Sequence, residues 1–215
     1  GLAGSGMESA DGVPRQRSFR FHSIFSELDA GLRLGIVSKL LSRWVTVQPQ
    51  PDVPAPADWL PGASLMVRRQ VFESVGLLDE NYFLYYEETD FCLQAKRGGW
   101  QCWRVPQSRV MHISGQSTGV TKAGPRSRLP QYWFDSRRRY FVKNHGVLYA
   151  TLADAAHISG LALWRCRRLI QRLPDPDPPH FLEDLIRNSL LFSGWFRRGR
   201  SGLNPVITLT DEVVG

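Results

Sequence analysis

Three carboxylates stand almost side by side in the run Glu87-Glu88-Thr89-Asp90, which opens a segment that reads as a helix to about Gly98. At 100° per residue, positions three, four and seven apart share one helix face. Glu88 therefore falls with Phe91, Cys92 and Ala95 on the apolar side, while Asp90, Gln94 and Arg97 fall on the wettable side. An acid on an apolar face is costly unless it has a partner or a task. Burial disfavours its charged form and lifts its pKa towards the range of a general base. On that reading Glu88 is a catalytic base, with Glu87 and Asp90 as further catalytic candidates beside it. The other reading of the triplet is structural, because acids at a helix N-terminus suit the macrodipole.

The elements that must position these acids lie on both sides. Upstream come a strand-like Trp-Leu-Pro-Gly-Ala-Ser-Leu-Met-Val from Trp59, a short helix Arg69–Val75, and the turn Gly76-Leu77-Leu78-Asp79-Glu80. Tyr82, Phe83, Tyr85 and Tyr86 then lead into the acids. Downstream come Gly98-Gly99-Trp100, a strand through Gln101–Pro106, and a second strand through Arg109–Ile113 that carries His112. Trp59 offers a ring that could cover a sugar face or fill a core. Asp79 and Glu80 could orient a hydroxyl or form a solvated turn. A lone histidine at a strand end is usually structural.

Read together, Trp59-Gly62-Ala63, Arg68-Arg69-Phe72-Gly76, Asp79-Glu80-Phe83-Tyr85-Glu87-Glu88-Asp90-Cys92, Gly99-Trp100, Val105-Pro106 and His112-Ser117 form an ordered set. The set resembles the C-terminal half of the catalytic domain of family-2 inverting glycosyltransferases, in the rhamnosyltransferase-like branch. The resemblance implies an α/β fold, a partial GT-A (Rossmann-like) sheet with C-terminal amphipathic helices. It places Glu88 where the family has an Asp base, one methylene shorter, and Gln94 where an Arg is common. It implies substrate-binding roles for Trp59, Gly62, Ala63, Asp79 and Glu80, and a metal-ligand role for His112. It also implies a nucleotide-sugar donor, deoxythymidine-diphosphate-rhamnose, and a lipid-linked glycan acceptor. A divalent metal, Mg²⁺ or Mn²⁺, is expected only with a complete donor site.

Composition bounds the rest. The 215 residues are 42% hydrophobic and 22% charged, as in ordinary globular proteins. A net charge of +7 rests on 23 Arg against 4 Lys. Arginine binds phosphates bidentately, so anionic partners fit: nucleotide diphosphates, polyprenyl diphosphates or an anionic membrane surface. No nucleic-acid-binding motif is visible, and no nucleic acid is expected as a partner. Cys92, Cys102 and Cys166 lack metal-ligand spacing, and three cannot fill a disulfide framework. They fit a reducing compartment, and the expected location is cytoplasmic, peripheral to the inner face of the plasma membrane. There is no signal-peptide pattern at the N-terminus, and since the first residue is not Met the chain reads as cut from something longer.

Three segments follow. Residues 1–121 read as the acceptor-side half of a glycosyltransferase domain. They start with either a solvated arm or a family-like connector over residues 1–21, then helical spacing from His22 to Trp44 and a proline-rich connector at Gln48–Ala57. Residues 122–173 hold a basic, aromatic stretch and an amphipathic helix. Arg137 and Arg138 there could bind a diphosphate or sit on an exposed helix turn. On the wheel of Val147–Leu173, Leu148, Leu152, Ala155, Ala162, Leu163, Cys166, Leu169, Ile170 and Leu173 gather on one side; Asp154, His157, Arg165, Arg167, Arg168 and Arg172 gather opposite. Asp154 and His157 midway argue against a membrane span. The helix is expected to lie on an anionic membrane or to pack on the domain. Residues 174–215 break at the prolines, carry a short helix over Phe181–Trp195, and end in a loose tail.

A complete enzyme of this kind carries an Asp-x-Asp motif that ties the donor to a metal, and none precedes Trp59. Asp175-Pro176-Asp177 sits in a proline-rich break and is a poor substitute. The expected function is inverting transfer of a sugar by a glycosyltransferase, with the nucleotide-binding half supplied elsewhere in a longer chain or by a separate one. The alternatives are a non-catalytic remnant or partner subunit that binds acceptor or membrane, and a basic membrane-surface adaptor.

Overall fold

In a computed structural model, which describes residues 1–13, 18–48, 52–113 and 127–192, a small mixed sheet carries helices on its flanks. Its strands are β1 (Leu2–Glu8), β2 (Ala55–Ala57), β3 (Leu65–Val67) and β4 (Cys102–Met111), in the order β2-β4-β1-β3. β1 runs parallel to β4 and antiparallel to β3, and β2 is antiparallel to β4. The helices are α1 (Ile24–Leu32), α2 (Gly35–Leu40), α3 (Arg69–Val75), α4 (Glu87–Arg97), α5 (Gln131–Gln171) and α6 (Phe181–Asn188).

Residues 2–8 are neither a solvated arm nor a connector but an interior strand. Leu2, Ala3 and Gly4 pair with Val67, Met66 and Leu65 on one side and with Cys102, Trp103 and Arg104 on the other. The two strands expected at Gln101–Pro106 and Arg109–Ile113 are one strand with a break in register. Pairing with β1 slips between Ser5 and Gly6, jumping from Val105 to Arg109. Pro106 lies in the skipped stretch, and a residue without an N–H cannot continue the ladder. The helical spacing of His22–Trp44 resolves into α1 and α2, separated at Arg33, which sits in the left-handed region. The expected helix Phe181–Trp195 ends earlier, at Asn188, where Ser189 turns extended with φ −73° and ψ 153°; Ser117, residues 120–121 and residues 193–215 lie outside the described residues.

The hydrophobic core forms three clusters. One, with Leu60, Val71, Phe91, Cys92 and Cys102, joins the sheet to α3 and α4. The cysteines pack there as small apolar residues, as expected. A second joins Tyr82, Tyr86 and Leu93 to Tyr140, Phe141, Ala150 and Ala153 of α5. The third joins Phe134 and Leu161 to Phe181 and Leu185.

α5 bends at Gly146, whose φ of 83° and ψ of 168° leave the helical region; glycine takes that conformation without a Cβ penalty. Beyond the bend, α5 runs against α1 with backbones almost touching. A Cβ on Gly160 would come 2.9 Å from Leu28 O and from Leu32 N, and one on Gly31 would come 2.7 Å from His157 O. Backbone cannot swing aside as a side-chain tip can. Gly160→Val should therefore cost about 1–3 kcal/mol by overpacking. A thermal melt unchanged from wild type would show that the two helices do not cross at this distance.

On α5, Asp154 and His157, opposite the apolar side on the wheel, are buried against α1, while Leu148, Leu152, Leu163, Leu169 and Ile170 face outward. Arg167 donates to the carbonyls of Leu32 and Arg33, at 3.3 and 2.8 Å, and closes the C-terminal end of α1. Arg168 pairs with Asp175, and Arg33 with Asp177, so both acids of the Asp-Pro-Asp run are engaged in ion pairs.

Candidate functional site

The candidate site forms where α4 begins. Tyr85 and Tyr86 both sit in the left-handed region, with φ of 68° and 67°, immediately before Glu87. Two consecutive non-glycine residues there are strained, and such strain persists only where packing over-determines it. Tyr86 is buried, with its ring 5.1 Å from His22 and 5.5 Å from Tyr140. This chain reversal delivers Glu87 and Glu88 to the first turn of α4 next to the turn Gly62–Ser64.

The backbone N–H groups of Gly62 and Thr89, and its own, lie close to the Glu88 carboxyl. Those donors and the helix N-terminus favour its charged form. Burial works against it more strongly, and the neighbouring Glu87 adds like-charge repulsion, so the Glu88 carboxyl is pushed up to about 7. One oxygen of Glu88, Oε2, and one of Glu87, Oε2, are buried without a hydrogen-bond partner among the described residues. Orphaned buried oxygens are rare enough to require an explanation, and an absent ligand is one. Glu88 and Gly62 are thus brought together, a Cβ on Gly62 coming 3.8 Å from Glu88 Cβ, and Gly62 and Ala63 are exposed. A cavity of about 320 Å³ opens elsewhere, at the other end of α4 between Cys92, Lys96, Trp100, Cys102 and β2, and neither Glu87 nor Glu88 lines it.

The remaining expected site residues are placed differently. Asp90 is not on a wettable face: it is buried, and its carboxylate accepts from Lys143 Nζ at 2.6 Å and Asn144 Nδ2 at 2.6 Å. Asn144 is in turn held by Gln94 at 2.7 Å and Arg97 at 2.9 Å, so the second half of α4 clamps the residues just before the Gly146 bend. Asp90 is an anchor between helices, because α5 covers the side of α4 that a wheel assigns to solvent. Asp79 belongs to the same joint. Burial opposes its ionisation, but hydrogen bonds from Lys143, Asn81 and Arg139 outweigh that and hold it well below the usual carboxylate range. Glu80 beside it is exposed.

Trp59 stacks on Phe19 with ring centroids 4.2 Å apart and donates Nε1–H to Arg20 O at 3.0 Å, so one of its faces is already covered. Arg137 and Arg138 do not form an exposed phosphate-binding turn. Arg137 is buried, donates to Glu27 at 2.8 Å through Nη2, and pairs with Asp154 through Nη1. Arg138 reaches Asn188 O at 2.7 Å. His112 follows β4, half-buried, with its backbone N–H on Glu8 O at 2.8 Å. Among the described residues, no group of three or more His, Cys, Asp or Glu converges on a point where a metal ion could sit.

Spacing could not reveal one group of residues. Glu27 of α1 meets Arg137, His157 at 2.7 Å and His22 at 3.2 Å. Asp154 joins through Arg137 and accepts Leu190 N–H at 2.8 Å. Burial disfavours the Glu27 charge, but Arg137, His157 and His22 outweigh it and hold its pKa well below the ordinary value. The network ties together stretches more than 100 residues apart.

Comparison with known proteins bears on what this site does. No family model matches the chain, and no solved structure matches it. Curated proteins do match over part of it. The chain is 42% identical over 64 residues to N-acetylglucosaminyl-diphospho-decaprenol L-rhamnosyltransferase of Mycobacterium tuberculosis, covering 30% of this chain and 21% of the relative. It is 45% identical over 90 residues to the low-salt glycan biosynthesis hexosyltransferase Agl10 of Haloferax volcanii, covering 41% and 27%. It is 34% identical over 53 residues to the dTDP-rhamnosyl transferase RfbF of Shigella flexneri, covering 25% and 18%. The matches support a glycosyltransferase family, and the mixed α/β architecture is consistent with part of such a domain. The matched region spans about a fifth to a quarter of the length of these relatives.

Proposed function

We propose that the chain supplies the acceptor side of an inverting glycosyltransferase of family-2, GT-A type, with Glu88 as the general base. The observation that carries the proposal is a carboxyl raised to about 7, with an unpartnered oxygen, beside the exposed turn Gly62–Ala63. Near neutral pH such a group is partly ionised and takes up a proton readily. Glu88 removes the proton of an acceptor hydroxyl while that oxygen bonds to the anomeric carbon of a nucleotide-activated sugar. The bond from that carbon to the diphosphate breaks on the opposite face, which inverts the configuration. Glu87 keeps the Glu88 carboxyl basic through repulsion, while the nearby Gly62 N–H favours its charged form.

The names of the relatives favour rhamnose or another hexose as the transferred sugar, a nucleotide-sugar such as deoxythymidine-diphosphate-rhamnose as donor, and a lipid-linked glycan as acceptor. The same reading favours a cytoplasmic location, at the inner face of the plasma membrane. The described residues do not make a metal site by themselves, so no step here runs through a metal. A Mg²⁺ or Mn²⁺ ion belongs to a donor site completed by further residues, to which His112 would contribute one ligand. Among the described residues β3 is an edge strand that pairs on one side only, which favours addition of further strands from the nucleotide-binding half.

Product assays test this reading. The 215-residue chain alone should stay at background with dTDP-rhamnose, Mn²⁺ and a polyprenyl-diphosphate glycan. Adding the nucleotide-binding half, in one chain or as a partner, should give transfer, and His112→Ala should then raise the Mn²⁺ needed for half-maximal rate. Turnover by the chain alone would show an unrecognised donor site. Background rates with all parts present would remove the transferase reading.

A further inference from the structure

The outward face of α5 beyond the Gly146 bend calls for a partner. Leu148, Leu152, Leu163, Leu169 and Ile170 are 76%, 48%, 60%, 69% and 83% exposed. With Cys166 they form a continuous stripe of roughly 33 Å, at 1.5 Å per residue from Leu148 to Ile170. No charged residue interrupts it. Thr151 and Ser159, the polar residues on its line, donate their hydroxyls to Val147 O at 2.8 Å and Ala155 O at 2.7 Å. Exposed apolar area of this length marks an interaction site. By length and composition α5 could cross a membrane, with 33% of its most apolar stretch buried. Its opposite face, however, is locked onto α1 through His157, Glu27, Arg137 and Asp154 and through the Gly31–Gly160 crossing. Lipid therefore cannot surround the helix, and only one side is available.

We infer that this stripe docks flat on an anionic lipid bilayer, with the helix axis in the plane of the surface. Charge selects this occupant. Between residues 147 and 173 there are four arginines, all within 165–172, and one acid, Asp154, which is buried and already paired. Arg172 is exposed at the helix end, and Arg165 is half-buried with Nε unpartnered among the described residues. A second copy of this helix would bring no acid to that basic end, whether it lay parallel or antiparallel. Anionic headgroups supply the charge, and acyl chains cover the leucines. Arg167 and Arg168, engaged within the fold, hold the helix in place and do not read the lipid. This inference stands apart from the transferase reading and survives its failure.

Flotation of the full chain on vesicles tests it without any activity assay. Binding should be strong on phosphatidylcholine mixed with phosphatidylglycerol, weak on phosphatidylcholine alone, and reduced by salt. Leu152→Glu with Leu163→Glu should cut binding at least tenfold, as about two leucine insertions are lost. Arg165→Gln with Arg172→Gln should lower binding to the anionic vesicles about tenfold and leave the neutral ones unchanged. Both leucines are exposed, so the variant should melt with wild type; Leu152→Ser with Leu163→Ser replaces it if it does not. Three results would overturn the inference: no flotation, equal flotation on both lipids, or a wild-type dimer in light scattering that the leucine substitutions dissociate.

Discussion

Glu88→Gln is expected to lower turnover of the completed enzyme about 10²-fold or more, the usual scale for losing a general base. Donor affinity should hardly change, because in the proposed reaction the acid serves the acceptor, and Glu88→Asp should retain part of the activity. The same substitution should stabilise the fold. Glu88 has a folded pKa of about 7 against 4.5 for the unconstrained group. The folded state thus binds this proton more tightly, and the stability it lends below about pH 4.5 is lost as pH rises to about 7. Glutamine has no charge to bury. Variant and wild type should match near pH 4.5, and the variant should gain about 3 kcal/mol above pH 7, from about 1.4 kcal/mol per pKa unit. Denaturant unfolding at the two pH values reads this without substrate. A variant less stable than wild type at pH 8 would mean that Glu88 is an ordinary paired acid, and wild-type turnover would end its assignment as base.

Arg137→Met should be the most destabilising single change in the chain, at about 3–5 kcal/mol. The side chains of Arg137, Glu27 and Asp154 are 4%, 5% and 6% exposed, so removing the cation leaves two buried carboxylates, Glu27 with His157 and His22 and Asp154 with the Leu190 N–H, short of their main counter-charge. For a chain of this size that corresponds to a fall in Tm of about 10 °C or more. Adding Glu27→Gln and Asp154→Asn to Arg137→Met should recover much of the loss, since the stranded charges, rather than the lost pair, carry the cost. Arg138→Met breaks a single hydrogen bond to Asn188 O and should cost only about 1 kcal/mol. Equal effects at the two arginines would show that the network contributes no more than an ordinary surface contact.

The acids of α4 were legible because their chemistry is local. Period, turn glycines and an acidic first turn place Glu87 and Glu88 at the head of a helix, and Gly62 stands close in the same ordered set. The site's protonation was legible only in direction, because its size depends on how completely the surrounding structure excludes water from Glu88. Asp90 was misplaced for a simple reason. A wheel contains one helix, and the lysine and asparagine that bury Asp90 lie more than 50 residues away in α5.

By itself, then, the sequence determined which residues share each helix face, where the helices α3 and α4 fall, and which acid stands on the apolar side of α4. Tertiary structure alone decided which face turns inward. Residues 2–8 became an interior strand because β3 and β4 offered it partners on both sides. The polar side of α5 turned inward because α1 brings Glu27 to meet Arg137 and His157, and a satisfied buried ion network can hold a helix by its polar face. Periodicity records that a helix has two sides; the charge that makes one of them interior comes from more than 100 residues away.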